Sequence, residues 1–99
     1  AWYLVPLALS YILKEELNRA HDTLTSAIDR DPESNLPRIW LAYILIQLGR
    51  QEDAENQAEI ILDVAPDFSV ASWSEGINFE DGSWNRRFEQ GLRQAKLPE

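Results

Sequence analysis

Cysteine is absent from this sequence of 99 residues. The chain can therefore form neither a disulfide framework nor a thiolate metal site. A domain of this size without such cross-links must be held together by the packing of helices or sheets. A reducing compartment fits the composition, and we expect a cytoplasmic protein. The chain starts at Ala1 and continues directly into an apolar stretch, so we also expect a fragment of a longer protein.

Basic side chains are scarce as well. The sequence has 9 Lys and Arg against 17 Asp and Glu, which gives a formal net charge of −8. Proteins that bind nucleic acids draw much of their affinity from Lys and Arg, so we expect no nucleic-acid partner. The acidic residues are spread along the chain instead of forming one block, which indicates a solvated exterior.

No apolar run is long enough to cross a bilayer. The most apolar stretch, residues 2–13, is far shorter than the roughly 20 residues that a membrane-spanning helix needs. Lys14, Glu15 and Glu16 follow it directly. A signal peptide would need a basic leader and a cleavage site of small residues, and neither accompanies the stretch. We expect a buried helix here and no insertion into a membrane.

Residues with catalytic or metal-binding chemistry are few. His21 is the only histidine, and no cysteine or second histidine could complete a metal site or an acid–base pair with it. The cluster of Glu52, Asp53 and Glu55 lies at one predicted helix start, where carboxylates complement the helix dipole. Glycine-rich phosphate loops and nucleophile elbows are missing. We therefore predict no enzyme activity, no cofactor and no metal ion for these residues.

The remaining pattern is helical, and we predict an all-α fold. No β-branched run alternates with period two, and Pro, Gly and Asn divide the chain into segments. Pro37 suits the first turn of a helix, Gly49 and Gly76 are predicted helix ends, and Asp81 is a predicted N-cap. The predicted helices cover residues 2–14, 17–30, 37–48, 51–64, 69–76 and 83–96.

The helices repeat with a period of 34 residues. Shifting the sequence by this interval superposes residues that two packed helices need, and the matched pairs are Leu7/Leu41, Ala8/Ala42, Ile12/Ile46, Ala20/Ala54, Asp29/Asp63 and Pro32/Pro66. The small alanines allow the two helices of a unit to approach each other closely. The prolines end the second helix of each unit and set the angle at which the next unit leaves.

A helix–turn–helix period of this length resembles the tetratricopeptide repeat. The residues that match its signature are Leu7, Ala8, Tyr11, Ala20, Leu24, Ala27 and Pro32 in the first unit, and Leu41, Ala42, Leu45, Ala54, Ala58, Ile61 and Pro66 in the second. Leu4 and Arg38 take the places of the usual tryptophan. The resemblance implies a TPR-like α-α superhelix with two repeats, residues 1–34 and 35–68, and a degenerate C-terminal pair of capping helices, residues 69–99.

The last third has a narrower resemblance. It is similar to the C-terminal end of the tetratricopeptide region in bacterial class III adenylate/guanylate cyclases and related signalling proteins. The matching residues are Phe79, Asp81, Arg87, Phe88, Gly91, Leu92, Arg93, Ala95, Leu97, Pro98 and Glu99. Trp84 and Phe88 lie beside arginines and could stack bases, but their helical spacing favours closing the end of the repeat array.

The resemblance implies a groove for a protein or peptide partner, or for another domain of the same chain. The candidate groove residues are Val5, Leu9, Ile12, Leu13, Ile39, Tyr43, Ile46 and Gln47. Burial of Ile39 and Tyr43 within one chain would count against a groove at those positions. The first helix is apolar almost all round, which predicts a cover or a homodimer. The alternative is an end-cap or dimerisation element that binds no peptide.

Overall fold

The computed structural model describes residues 4–75 and 82–98. Within these ranges the chain forms α-helices and no strand, which confirms the all-α prediction. The helices are α1 (Leu4–Leu13), α2 (Leu17–Arg30), α3 (Leu36–Gln47), α4 (Gln51–Val64), α5 (Val70–Glu75) and α6 (Gly82–Gln94). Their described ends lie within two residues of the predicted ones. The predicted helix end at Gly76 and the predicted N-cap Asp81 lie outside the described residues.

Helices α1 and α3 end in the same way, 34 residues apart. The second residue after each helix adopts a left-handed conformation, with φ of 60° at Glu15 and 78° at Gly49. The next N–H then donates to the carbonyl five residues earlier, at 2.8 Å in both turns. This bond is the mark of a Schellman motif, which satisfies carbonyls at a helix C-terminus. The predicted stop at Gly49 is confirmed, and Glu15 makes the same turn without glycine.

Helices α2 and α4 repeat with the same interval. The residue after α2 is Asp31, with φ −144° and ψ 79°, and the residue after α4 is Ala65, with φ −132° and ψ 80°. Each donates its N–H to the carbonyl four residues earlier. Pro32 and Pro66 follow directly, and a proline has no N–H with which to extend the helix. The repeat read from the sequence is therefore present in the backbone.

The core is built on α3. Helix α1 packs against α2, α3 packs against α4, and α2 joins the two pairs through α3. Helix α3 also contacts α1 and α6, and its residues from Ile39 to Leu45 are all buried. The small residues expected at the helix contacts are fully buried: Ala8, Ala20, Ala42 and Ala54.

The third helix pair departs from the first two because α6 packs on α3 as well as on α5. Beyond α6 the chain turns back at Lys96, which has φ of 73°. Leu97 donates its N–H to the Leu92 carbonyl at 3.2 Å, and its side chain is buried. The Pro98 carbonyl accepts the N–H of Val70, the first residue of α5, at 2.8 Å. The C-terminal turn thus fastens α6 and α5 together.

Arg38, which stands where the family has tryptophan, replaces apolar packing by hydrogen bonds. Its Nη1 donates to Gln57 Oε1 on α4 at 3.2 Å, and its Nη2 donates to the Pro32 carbonyl at 3.1 Å. The half-buried guanidinium therefore links α4 to the loop between α2 and α3, so the departure from the signature leaves the packing of the two units intact.

Candidate partner-binding surface

The eight predicted groove residues do not form one open surface. Ile12, Ile39 and Tyr43 are buried, with 1%, 5% and 1% of their surface exposed. Side chains buried to this degree cannot present a surface to a ligand, so for these three positions the groove prediction is wrong in this chain. The others keep some access to solvent: Val5, Leu9 and Ile46 are half-buried, and Leu13 and Gln47 are exposed.

Helix α6 covers Tyr43, one of these three residues. Phe88 lies at its centre and makes edge-to-face contacts with Trp40 and Tyr43, with ring centroids 4.7 Å apart in each pair. Trp73 of α5 meets Trp40 in the same manner at 5.0 Å. Aromatic pairs in this geometry contribute about 0.5–1.5 kcal/mol beyond the area they bury. The capping helices therefore occupy the face of α3 that was expected to receive a ligand.

Gly91 sets how closely α6 approaches α3. A Cβ atom at this position would lie 2.7 Å from Tyr43 Cδ1 and 3.2 Å from Tyr43 Cε1. Carbon atoms do not approach that closely, so only glycine fits at this crossing without a shift of the ring. A glycine inside a helical pattern was the one signal in the sequence that a close helix contact lies here.

The Tyr43 hydroxyl reaches the edge of this contact, where Arg87 of α6 hydrogen-bonds to it. Burial raises the pKa of Tyr43, and the charge and hydrogen bond of Arg87 oppose this rise in part. Arg87 also places Nη2 3.4 Å from Glu15 Oε1 and its Cζ 4.1 Å from the ring centroid of Trp84. One arginine thus connects α6 to α3 and to the turn after α1.

An open pocket of about 310 Å³ remains beside α6. Its lining consists of Ile46, Gln47, Arg87, Gln90, Gly91 and Gln94. Two of these residues belong to the predicted groove, whereas the α6 wall was not predicted. The three glutamine amides can donate and accept hydrogen bonds, which suits the backbone of an extended peptide.

Comparison with known proteins agrees with this architecture. The sequence model described as tetratricopeptide repeat matches residues 11–73, which is more than half of the chain. The chain belongs to the tetratricopeptide repeat family. Its fold is a non-catalytic helical repeat, and tetratricopeptide repeats generally mediate protein–protein interaction or scaffolding. No curated protein and no solved structure matches the chain.

Helix α1 of this tetratricopeptide domain keeps an apolar surface. Leu7 is 37% exposed and Leu13 is 43% exposed, while Val5 and Leu9 are half-buried. Across residues 4–75 and 82–98, no helix has the length and apolar content needed to cross a membrane.

His21 and the acidic cluster have structural neighbours. His21 Nδ1 lies 3.4 Å from Asp22 Oδ1, and its Nε2 lies 3.3 Å from Arg50 Nη1. Arg50 is paired with Asp53 at 2.7 Å, and Glu55 accepts a hydrogen bond from Gln51 at 2.9 Å. In the part of the chain that the structure describes, no group of three or more His, Cys, Asp or Glu side chains could hold a metal ion.

Proposed function

We propose that this chain is a non-catalytic interaction or scaffolding module that binds a protein, a peptide or another domain of its own chain. The observation that carries the proposal is the open pocket between α3 and α6, in a fold whose members bind proteins. The proposed site comprises the five members of the predicted groove that keep access to solvent: exposed Leu13 and Gln47, and half-buried Val5, Leu9 and Ile46.

The proposed context is the C-terminal part of a bacterial adenylate/guanylate cyclase-type signalling protein in the cytoplasm. The support is the sequence resemblance of the last third, in which the matching apolar residues Phe88, Leu92, Ala95 and Leu97 are buried. The test is the gene sequence upstream of Ala1. A class III cyclase domain is expected there, and an open reading frame without any signalling domain would refute the context.

Binding is tested by titrating the chain with its separately produced upstream region in a calorimeter. Ile46→Ser removes the apolar wall of the pocket and is expected to weaken binding. Leu36→Ser is the matched control, because Leu36 lies at the opposite end of α3 and is 46% exposed. Equal affinity of the Ile46 variant and the wild type would exclude this pocket as the binding site.

A homodimer through α1 is the second form of association that we propose. Leu7 and Leu13 provide its apolar surface. Light scattering across a dilution series is expected to show a mass that rises with concentration, and Leu7→Ser with Leu13→Ser should abolish the rise while Leu36→Ser should not. A single monomer mass at every concentration would exclude this dimer.

The alternative function is a structural end-cap that binds no ligand. The burial of Ile39 and of Tyr43, which lies against Phe88 of α6, favours it, because terminal units of a repeat array must cover the exposed core. A chain that stays monomeric and does not bind its upstream region would support this alternative.

A further inference from the structure

A second groove lies between α2 and α4, the second helices of the two repeats. It encloses about 330 Å³, and its floor is formed by Leu41 and Leu45 of α3. Its walls are His21, Thr25 and Ile28 from α2, and Arg50, Asp53, Asn56 and Gln57 from the start of α4. None of these residues belongs to the predicted groove or to the pocket beside α6.

Two exposed apolar residues extend this groove along α4. Ile60 is 36% exposed and Val64 is 55% exposed, the largest value among the exposed large hydrophobic side chains. They follow Asn56 and Gln57 at spacings of three and four residues, so they lie on the same side of the helix. The spacing places these two side chains on α4 next to the groove, and we call the groove together with them the α2–α4 groove.

The repeat fold does not require apolar residues at these two positions. Shifting Ile60 and Val64 by one repeat gives Ser26 and Arg30 of α2, and both of these are exposed. The helices that carry them start and end 34 residues apart, so the positions are structurally equivalent. Isoleucine and valine are therefore specific to the second repeat, at a place where they contribute little to the core.

Charge selects what can cover this surface. Helix α4 carries five acidic side chains and no lysine or arginine: Glu52, Asp53, Glu55, Glu59 and Asp63. The arginines beside the groove already have partners, Arg50 with Asp53 and Arg38 with Gln57. Two copies of the chain that met through α4 would repel each other. A partner segment whose apolar side chains are flanked by lysine or arginine would complement both the apolar side chains and the negative charge of this surface.

We propose that the α2–α4 groove docks a segment of a partner protein that combines apolar side chains with lysine or arginine. This inference rests on the proposed function as an interaction module and adds a second surface and the chemistry of the partner. Apolar residues of the segment cover Ile60, Val64 and the groove floor, and its cations lie beside Glu59 and Asp63.

The test is a nuclear magnetic resonance titration of the ¹⁵N-labelled chain. The probe is a terminally capped peptide of alternating leucine and lysine, and the matched control has glutamate in place of lysine. The lysine peptide is expected to shift the amide signals of Thr25, Asn56, Ile60 and Val64 and to lose affinity as salt is added. The glutamate peptide is expected to bind at least about tenfold more weakly.

The decisive variant exchanges the second repeat's residues for those of the first, Ile60→Ser with Val64→Arg. Both positions are exposed, so the fold should persist, and the affinity for the lysine peptide should fall about tenfold or more. Leu36→Ser is the control for loss of an exposed leucine elsewhere and should leave the affinity unchanged, because Leu36 is 46% exposed and belongs to neither groove.

Four results would overturn the inference. Three of them are equal affinity for the two peptides, an unchanged affinity of the double variant, and self-association that the double variant abolishes, which would make a second copy the occupant. Loss of peptide binding in Ile46→Ser alone would place the peptide in the pocket beside α6. That result would leave the interaction function standing while this surface is refuted.

Discussion

Gly49→Ala isolates the cost of a left-handed backbone at the end of α3. Gly49 has φ of 78°, and a Cβ atom built there meets no heavy atom within 4 Å. The substitution therefore creates no steric clash with the rest of the protein. Any change in the free energy of unfolding must come from backbone conformation, in the folded state or in the unfolded chain.

The expected magnitude follows from two opposing effects. An L-amino acid in the left-handed region costs roughly 1–2 kcal/mol. Alanine also restricts the unfolded chain relative to glycine, which returns about 0.4–1 kcal/mol. The net loss of stability is about 1 kcal/mol, and a domain of this size should then melt about 4–8 °C lower.

Lys96→Gly is the mirror experiment. Lys96 is exposed and has φ of 73°, so its backbone carries the energetic cost of the left-handed conformation that glycine avoids at position 49. Replacing it by glycine should raise the stability by about 0.5–1 kcal/mol. Lys96→Ala keeps the left-handed conformation and should change the stability little. Urea denaturation followed by far-ultraviolet circular dichroism measures all three variants.

A Gly49→Ala chain as stable as the wild type would show that the left-handed backbone at this position carries no such cost. If the glycine and alanine variants of Lys96 shift the urea midpoint by the same amount, the side chain of Lys96 and not its backbone sets the difference. An unchanged denaturant slope confirms that each variant alters stability and not the compactness of either state.

Three further predictions concern the contact between α6 and α3. Gly91→Ala should destabilise the fold, because its methyl group would clash with the Tyr43 ring. The clash costs about 1–3 kcal/mol, which exceeds the gain of about 1 kcal/mol in helix propensity. Urea denaturation measures the change in stability, with Gln90→Ala as the control. Phe88→Ala should cost about 3–5 kcal/mol and change the fluorescence of Trp40. Because burial raises the pKa of Tyr43, its neutral hydroxyl favours the folded state. This contribution to stability is fully present below the pKa of about 10 in the unfolded chain, and it is lost as the pH rises through the higher pKa of the folded chain. Tyr43→Phe should remove this alkaline loss in a pH series of urea midpoints.

Each of these predictions can fail separately. A Gly91→Ala chain as stable as the Gln90 control would mean that the Tyr43 ring can move aside. An unchanged tryptophan spectrum in Phe88→Ala would mean that α6 docks without its central ring. An identical alkaline profile for Tyr43→Phe would mean that other groups cause the loss of stability.

The sequence by itself determined the helices and their repeat. Helix boundaries depend on local features: apolar spacing, Pro37 near a helix start, and Gly49 at a helix end. The 34-residue interval could be read for the same reason, since each unit repeats the same local turns. The prolines at 32 and 66 end equivalent helices with nearly equal backbone angles one residue before them.

Only the tertiary structure decided which faces stay open. The pattern of Trp84, Phe88 and Leu92 shows that α6 has an apolar face but not which helix that face meets, because the contact with Tyr43 joins residues 45 positions apart. That contact covers Tyr43, one of the three buried residues among the eight of the expected groove, and leaves an open pocket at its edge. The left-handed turns at Glu15 and Lys96 were likewise hidden, since neither residue favours that conformation by itself.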